Sequence, residues 1–212
     1  MLSAFTAGTM MLSSLGAPAA GWQVAEPPPE HMVIDVVSAN GSGCPDGTAE
    51  VSVSPDNKAF TVAYSEFVAQ VGPEAKSTDF RKQCQLSLNV QVPEGYTYAV
   101  AGTDYRGYAR LEEGATATET AFYYFQGESH TTRSRHEFQG FMDKDWQISD
   151  KVEIQSMSFL PCGEKRYLNV NTELRVMRGW SPPQTTSFIT MDSSDGNLET
   201  IYRLSWMKCP ED

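Results

Sequence analysis

The chain is short of positive charge: 16 Lys and Arg stand against 27 Asp and Glu, for a formal net charge of −11. Such a balance repels phosphate backbones and anionic bilayers, which argues against nucleic acid as a partner. The basic pairs Arg133/Arg135 and Arg175/Arg178 are too small to reverse it. Long apolar runs are missing too. None approaches the roughly 20 residues that a membrane-spanning helix needs, so no integral membrane segment is expected. Nor does any stretch of a dozen residues carry an apolar stripe of helical period free of Gly, Pro or β-branched clusters. Catalytic signatures are equally scarce: there is no Gly-x-Ser-x-Gly, no His-Glu-x-x-His, no Gly-rich phosphate loop and no dinucleotide fingerprint. No motif asks for a cofactor.

What the chain does carry is alternation. Leu86, Leu88, Val90 and Val92 are apolar, and Ser87, Asn89 and Gln91 between them are polar. A period of two puts one row of side chains into a core and the other toward water, as in a half-buried antiparallel strand. A hairpin is read at Val51 and Val53, Ser54-Pro-Asp-Asn57, then Phe60, Val62 and Tyr64; Pro55 presets φ, and Asp56 and Asn57 tolerate the tight turn. Tyr96, Tyr98 and Val100, residues 115–125, 152–159, 168–176 and 199–208 read as further strands. Gly107 within Tyr105-Arg-Gly-Tyr108 suggests a bulge that re-aims one tyrosine. Residues 127–145 lack apolar periodicity and read as a loop with a weak hairpin. Regular strands with turn signals between them, and no internal repeat, predict an all-β fold. The expected architecture is a single antiparallel β-sandwich over residues 33–209, jelly-roll or immunoglobulin-like, with long loops.

Residues 1–20 are uncharged and end in Ala17-Pro-Ala-Ala20, a cleavage site for signal peptidase, although no Lys or Arg forms an n-region. They are expected to be a leader. Residues 21–32, with Pro27-Pro-Pro29, read as an extended arm without packing partners. Four cysteines, Cys44, Cys84, Cys162 and Cys209, contain no Cys-x-x-Cys. In a secreted chain an even count predicts two disulfides, and spacing alone leaves three pairings open. Asn40-Gly41-Ser42 matches the N-glycosylation acceptor, which has meaning only in a chain secreted by a eukaryote.

Several motifs in one order are similar to those of a known family. They are Gly41-Ser-Gly-Cys-Pro45, the Ser54-Pro-Asp-Asn hairpin with its Phe60-Thr-Val-x-Tyr return, Arg81-Lys-Gln-Cys-Gln-Leu86, Pro93-x-Gly95 and Tyr105-Arg-Gly-Tyr108. Tyr123-Tyr-Phe-Gln-Gly127, Leu160-Pro-Cys-Gly163 and Trp206-Met-Lys-Cys209 complete the set. From Val33 to Cys209 the chain resembles the small secreted proteins of domain-of-unknown-function family 4360. The resemblance implies secretion and cysteine pairing within each half, Cys44 with Cys84 and Cys162 with Cys209. It implies no activity.

His130 and His136, if on one strand, stand near 20 Å apart, too far to share a metal. Asp192, Asp195, Asn197 and Glu199 offer hard oxygen ligands, but Asp195-Gly196 is the commonest hairpin turn, so a turn is expected there and no metal. Glu112-Glu113 and Asp143/Asp145 are candidates for a glycosidase pair. Aromatic residues on rigid loops stack on sugars or dock partners, which makes Trp180, Trp146, Tyr105 and Tyr108 the candidate contacts. The expected function is a non-catalytic extracellular binding module for a carbohydrate or protein ligand. The alternatives are a secreted hydrolase using Asp/Glu residues or His130/His136, and a protein-interaction factor.

Overall fold

A computed structural model describes residues 24–191 and 199–210. The leader read in residues 1–20 and the turn at Asp195-Gly196 lie outside the described residues. In chain order the strands are β1 (Val24–Ala25), β2 (Val33–Asn40), β3 (Ala49–Val53), β4 (Ala59–Tyr64), β5 (Val68–Val71), β6 (Arg81–Gln91), β7 (Tyr96–Leu111), β8 (Thr116–Phe125), β9 (Thr132–Gln139), β10 (Met142–Lys151), β11 (Leu168–Met177), β12 (Ser187–Thr190) and β13 (Glu199–Lys208). One 3-10 turn, Ile154–Ser156, interrupts the series. The larger sheet runs β3-β4-β13-β7-β12-β5, with β1 on β13 and β10 on β7; the smaller runs β2-β6-β11-β8-β9. Every strand pair is antiparallel.

The alternation of β6 is realised as read: Leu86, Leu88 and Val90 are buried, while Gln85 and Gln91 are exposed. Opposite them, β7 and β13 contribute Tyr98, Tyr105, Tyr202 and Trp206, all essentially without solvent contact. Aromatic rings join the sheets. Tyr98 meets Phe125 edge-on at 5.3 Å and Tyr123 meets Tyr202 edge-on at 6.3 Å. Edge-to-face geometry places the positive rim of one ring against the negative face of the other. The two sheets thus form a sandwich around one aromatic-rich core.

Both disulfides form, Cys44 with Cys84 and Cys162 with Cys209, with Cα atoms 5.3 and 5.7 Å apart. The first ties the β2–β3 loop to β6, and the second ties the β10–β11 loop to the segment after β13.

The hairpin at Ser54–Asn57 does more than turn. Asn57 takes φ of 56°, a conformation Asn tolerates better than other residues with a Cβ. Its side chain is buried, donating to the carbonyls of Pro28 (3.0 Å) and Glu30 (2.7 Å) and accepting from the Met32 amide (2.9 Å). The Asn57 carbonyl accepts from the Trp206 indole at 2.8 Å. The proline segment is therefore a packed arm, with Met32 fully buried and Val24–Ala25 paired to β13. This corrects the reading of an arm without partners: backbone carbonyls, which carry no sequence signature, hold it.

Three more expectations change. Residues 132–151 form two full strands, paired to β8 and β7, rather than a loop with a weak hairpin; the inward positions of β9 are mostly polar, Thr132, Ser134 and His136 preceding Phe138, so the strand carries no apolar period. Residues 152–159 are not a strand; after β10 the chain enters the 3-10 turn with Ile154 exposed. The bulge expected at Gly107 is absent, since β7 and β10 stay in register from Gly102 to Leu111. The irregularity in β7 faces Arg203/Leu204 of β13 instead. Gly107 serves packing: a Cβ there would sit 2.5 Å from Cζ2 of Trp146.

Candidate functional site

The turn between β7 and β8, Glu112–Ala115, is a hub for two neighbouring loops. Its backbone is fixed by a hydrogen bond from the Ala115 amide to the Glu112 carbonyl (3.0 Å) and one from the Glu112 amide to Ser187 Oγ (3.0 Å). The loop from β11 to β12 reaches it through Trp180. Ser181 closes that loop on itself, its amide and hydroxyl both donating to the Arg178 carbonyl (3.2 and 2.8 Å). The indole of Trp180 then lies against Gly114, so closely that a Cβ at Gly114 would come within 2.5 Å of Cε2. One face of the ring is seated on backbone, yet the residue stays 72% exposed.

The turn from β9 to β10 reaches the same hub. The Gly140 amide donates to the Ala115 carbonyl at 2.9 Å, which leaves the next residue, Phe141, 74% exposed. Two large aromatic side chains therefore stand in solvent on loops stitched to one turn that bears Glu112 and the exposed Glu113. Indole and phenyl faces stack on the C–H face of a sugar, and carboxylates accept its hydroxyl hydrogens. Sequence reasoning found Trp180 and singled out Glu112-Glu113 for another role. It missed Phe141, whose only signal is a bulky apolar residue beside a turn glycine.

The other three aromatic candidates lie elsewhere. Trp146 is 5% exposed, wedged over Gly107 with its ring 5.0 Å from that of Phe138. Tyr105 is fully buried, its hydroxyl 3.0 Å from Ser134 Oγ. Both face the core because the strands carrying them turn those positions inward, so as surface contacts they give way. Tyr108 is half-buried on the opposite face of β7, hydrogen-bonded to Asp143 and 5.8 Å from the Phe188 ring.

Between the sheets sits a group of ionisable residues. Glu119 on β8, fully buried, faces Nδ1 of His136 on β9 at 2.7 Å, and Asp150 on β10 faces Nε2 at 3.1 Å. With a carboxylate oxygen at each nitrogen, the ring is suited to donate twice, as an imidazolium. The Glu119 contact, reinforced by Asp150, raises the His136 pKa above its ordinary value against the opposing effect of burial. Burial raises that of Glu119, opposed by His136. A shallow cleft of about 260 Å³ reaches this group past Tyr105, Tyr123, Ser134 and His136. Neither ring nitrogen is open to abstract a proton, since both already face carboxylates. His130 is exposed and takes no part in this cluster. No group of three or more His, Cys, Asp or Glu suited to hold a metal ion occurs among the described residues.

A family profile described as a domain of unknown function, DUF4360, matches residues 30–209. The chain belongs to this family. An uncharacterized secreted protein of Arthroderma benhamiae is 34% identical over 183 residues, covering 86% of this chain and 74% of the relative. Family membership, a secreted relative and two formed disulfides make the DUF4360 chain an extracellular protein. No helix among the described residues is long and apolar enough to cross a membrane.

Proposed function

We propose that the protein is a non-catalytic extracellular binding module whose ligand is a neutral carbohydrate chain, held at the hub of the β7–β8 turn. The observation that carries this reading is the exposed indole of Trp180, seated on Gly114. A ring backed by bare peptide is held in orientation before a ligand arrives, which lowers the ordering cost of binding. Phe141 supplies a second apolar surface, and Glu112 and Glu113 supply acceptors for hydroxyls. The net charge of −11 favours neutral over acidic glycans.

Retention on insoluble neutral polysaccharides, followed by a glycan array, tests the proposal. Trp180→Ala is expected to weaken retention roughly tenfold or more, about 1.4 kcal/mol, while moving stability by no more than about 0.5 kcal/mol. Unchanged retention in Trp180→Ala and Phe141→Ala alike would remove the hub from the reading. The hydrolase alternative through His136 has less support, because that ring is engaged at both nitrogens.

A further inference from the structure

The outward face of the smaller sheet carries a row of side chains in one register. Asn40 pairs with Gln85, Gln85 with Asn171, Asn171 with Phe122, and Phe122 with Arg133. Phe122 lies nearly parallel to Tyr124 on the same face, their ring centroids 6.5 Å apart at an interplanar angle of 11°. Between Asn40 and Phe122 is a concavity of about 250 Å³, bordered by Gln83, Gln85, Asn171 and Glu173. The Asn171 side-chain nitrogen beside it is buried and has no hydrogen-bond partner among the described residues. A buried amide donor left unpaired is costly, and a ligand acceptor would relieve it.

Asn40 is exposed, and its side chain makes no hydrogen bond among the described residues. It also begins Asn40-Gly41-Ser42, and no other Asn-x-Ser/Thr occurs in the chain. We propose that Asn40 is an N-glycosylation site and that the first sugars of its glycan lie in this concavity, reaching toward Phe122. The co-substrate is a lipid-diphosphate-linked oligosaccharide. The amide Nδ2 of Asn40 bonds to the anomeric carbon, the bond from that carbon to the diphosphate oxygen breaks, the amide loses one proton, and the lipid diphosphate leaves with the electron pair. From Asn40 to Phe122 is three strand spacings, about 14 Å, within reach of a short run of linked sugar rings. Sugar acceptors then meet the Asn171 and Gln85 amides, and the Phe122 ring offers an apolar face. This inference is independent of the ligand proposed at Trp180.

The test is the full chain secreted from a eukaryotic host, with intact mass measured before and after digestion by a peptide N-glycosidase. The expected result is loss of a glycan on digestion, with conversion of Asn40 to aspartate, and absence of that glycan in both Asn40→Gln and Ser42→Ala. Ser42→Ala keeps Asn40 in place should the first variant fail to secrete. A wild-type mass equal to that of the bare polypeptide overturns the site. Seating is read from the melting temperature of glycosylated and digested protein. The glycan is expected to add roughly 2–4 °C in the wild type and at most half of that in Phe122→Ala. An equal gap in the two proteins overturns the contact with the sheet.

Discussion

His136 shows how far one side chain can tie two sheets together. Its ring spans from Glu119 in the smaller sheet to Asp150 in the larger. Removing it strands Glu119, a carboxylate with no exposure, without its counter-charge. His136→Ala is therefore expected to cost about 3–5 kcal/mol in urea denaturation, and Glu119→Gln less, since a neutral amide needs no counter-ion. The pH dependence follows in sign. A histidine whose folded pKa is raised contributes stability that is full below its unfolded value, about 6.5, and lost as pH rises through the folded value above that. The raised Glu119 pKa acts in the same direction, because burial penalises its ionised form. Thermal melts from pH 6 upward should show the melting point falling toward alkaline pH. Glu119→Gln, which removes the buried acid and with it the main cause of the raised His136 pKa, should flatten that slope; a parallel slope in the variant would count against the bridge as its source.

At the scale of elements, Gly107 is the sharpest test of packing. It leaves space for the indole of Trp146, its register partner on β10, and a methyl there meets both that ring and the Thr190 carbonyl. Gly107→Ala is expected to destabilise by about 1–3 kcal/mol, measured by chemical denaturation, with Trp146 fluorescence altered in the folded state. The same position marks where the sequence could be read and where it could not. Strands whose inward residues are apolar, such as β6, β11 and β13, were legible from their alternation, and the β3–β4 turn from Pro55, Asp56 and Asn57. β9 was not, because Ser134 and His136 point inward to polar partners on other strands, so its period carries no apolar signal. The short strands β5 and β12 hold four residues each, too few to establish a period. At the site, Trp180 was legible as an aromatic in a Pro-containing loop. Trp146 and Tyr105 were equally conspicuous and lie inside, since residue type alone does not fix which face of a strand a side chain takes. A clue to the buried bridge was present in Ala117-Thr-Glu119-Thr-Ala121, where an acid occupies the inward step between two small residues.

On the scale of the whole molecule, the disulfides set the stability outside the cell. Each closes a long loop, with sequence separations of 40 and 47 residues, and the chain-entropy model gives about 4 kcal/mol for either. Replacing Cys44/Cys84 or Cys162/Cys209 by serine pairs is expected to lower the melting temperature by roughly 8–16 °C, read by calorimetry under non-reducing conditions. A shift below about 2 °C would assign the stability to the core instead. The position of β13 has a consequence for how such a protein is made. It pairs with β7 on one side and with β4 and β1 on the other. A chain emerging amino-terminus first presents β4 and β7 long before the strand that belongs between them. Until residues 199–208 have left the ribosome or the translocation pore, two open strand edges await a partner, and the larger sheet cannot complete before they emerge. Nascent chains stalled short of Glu199 should therefore be sensitive to protease and bound by chaperones, and chains that present residues 199–208 should lose both properties.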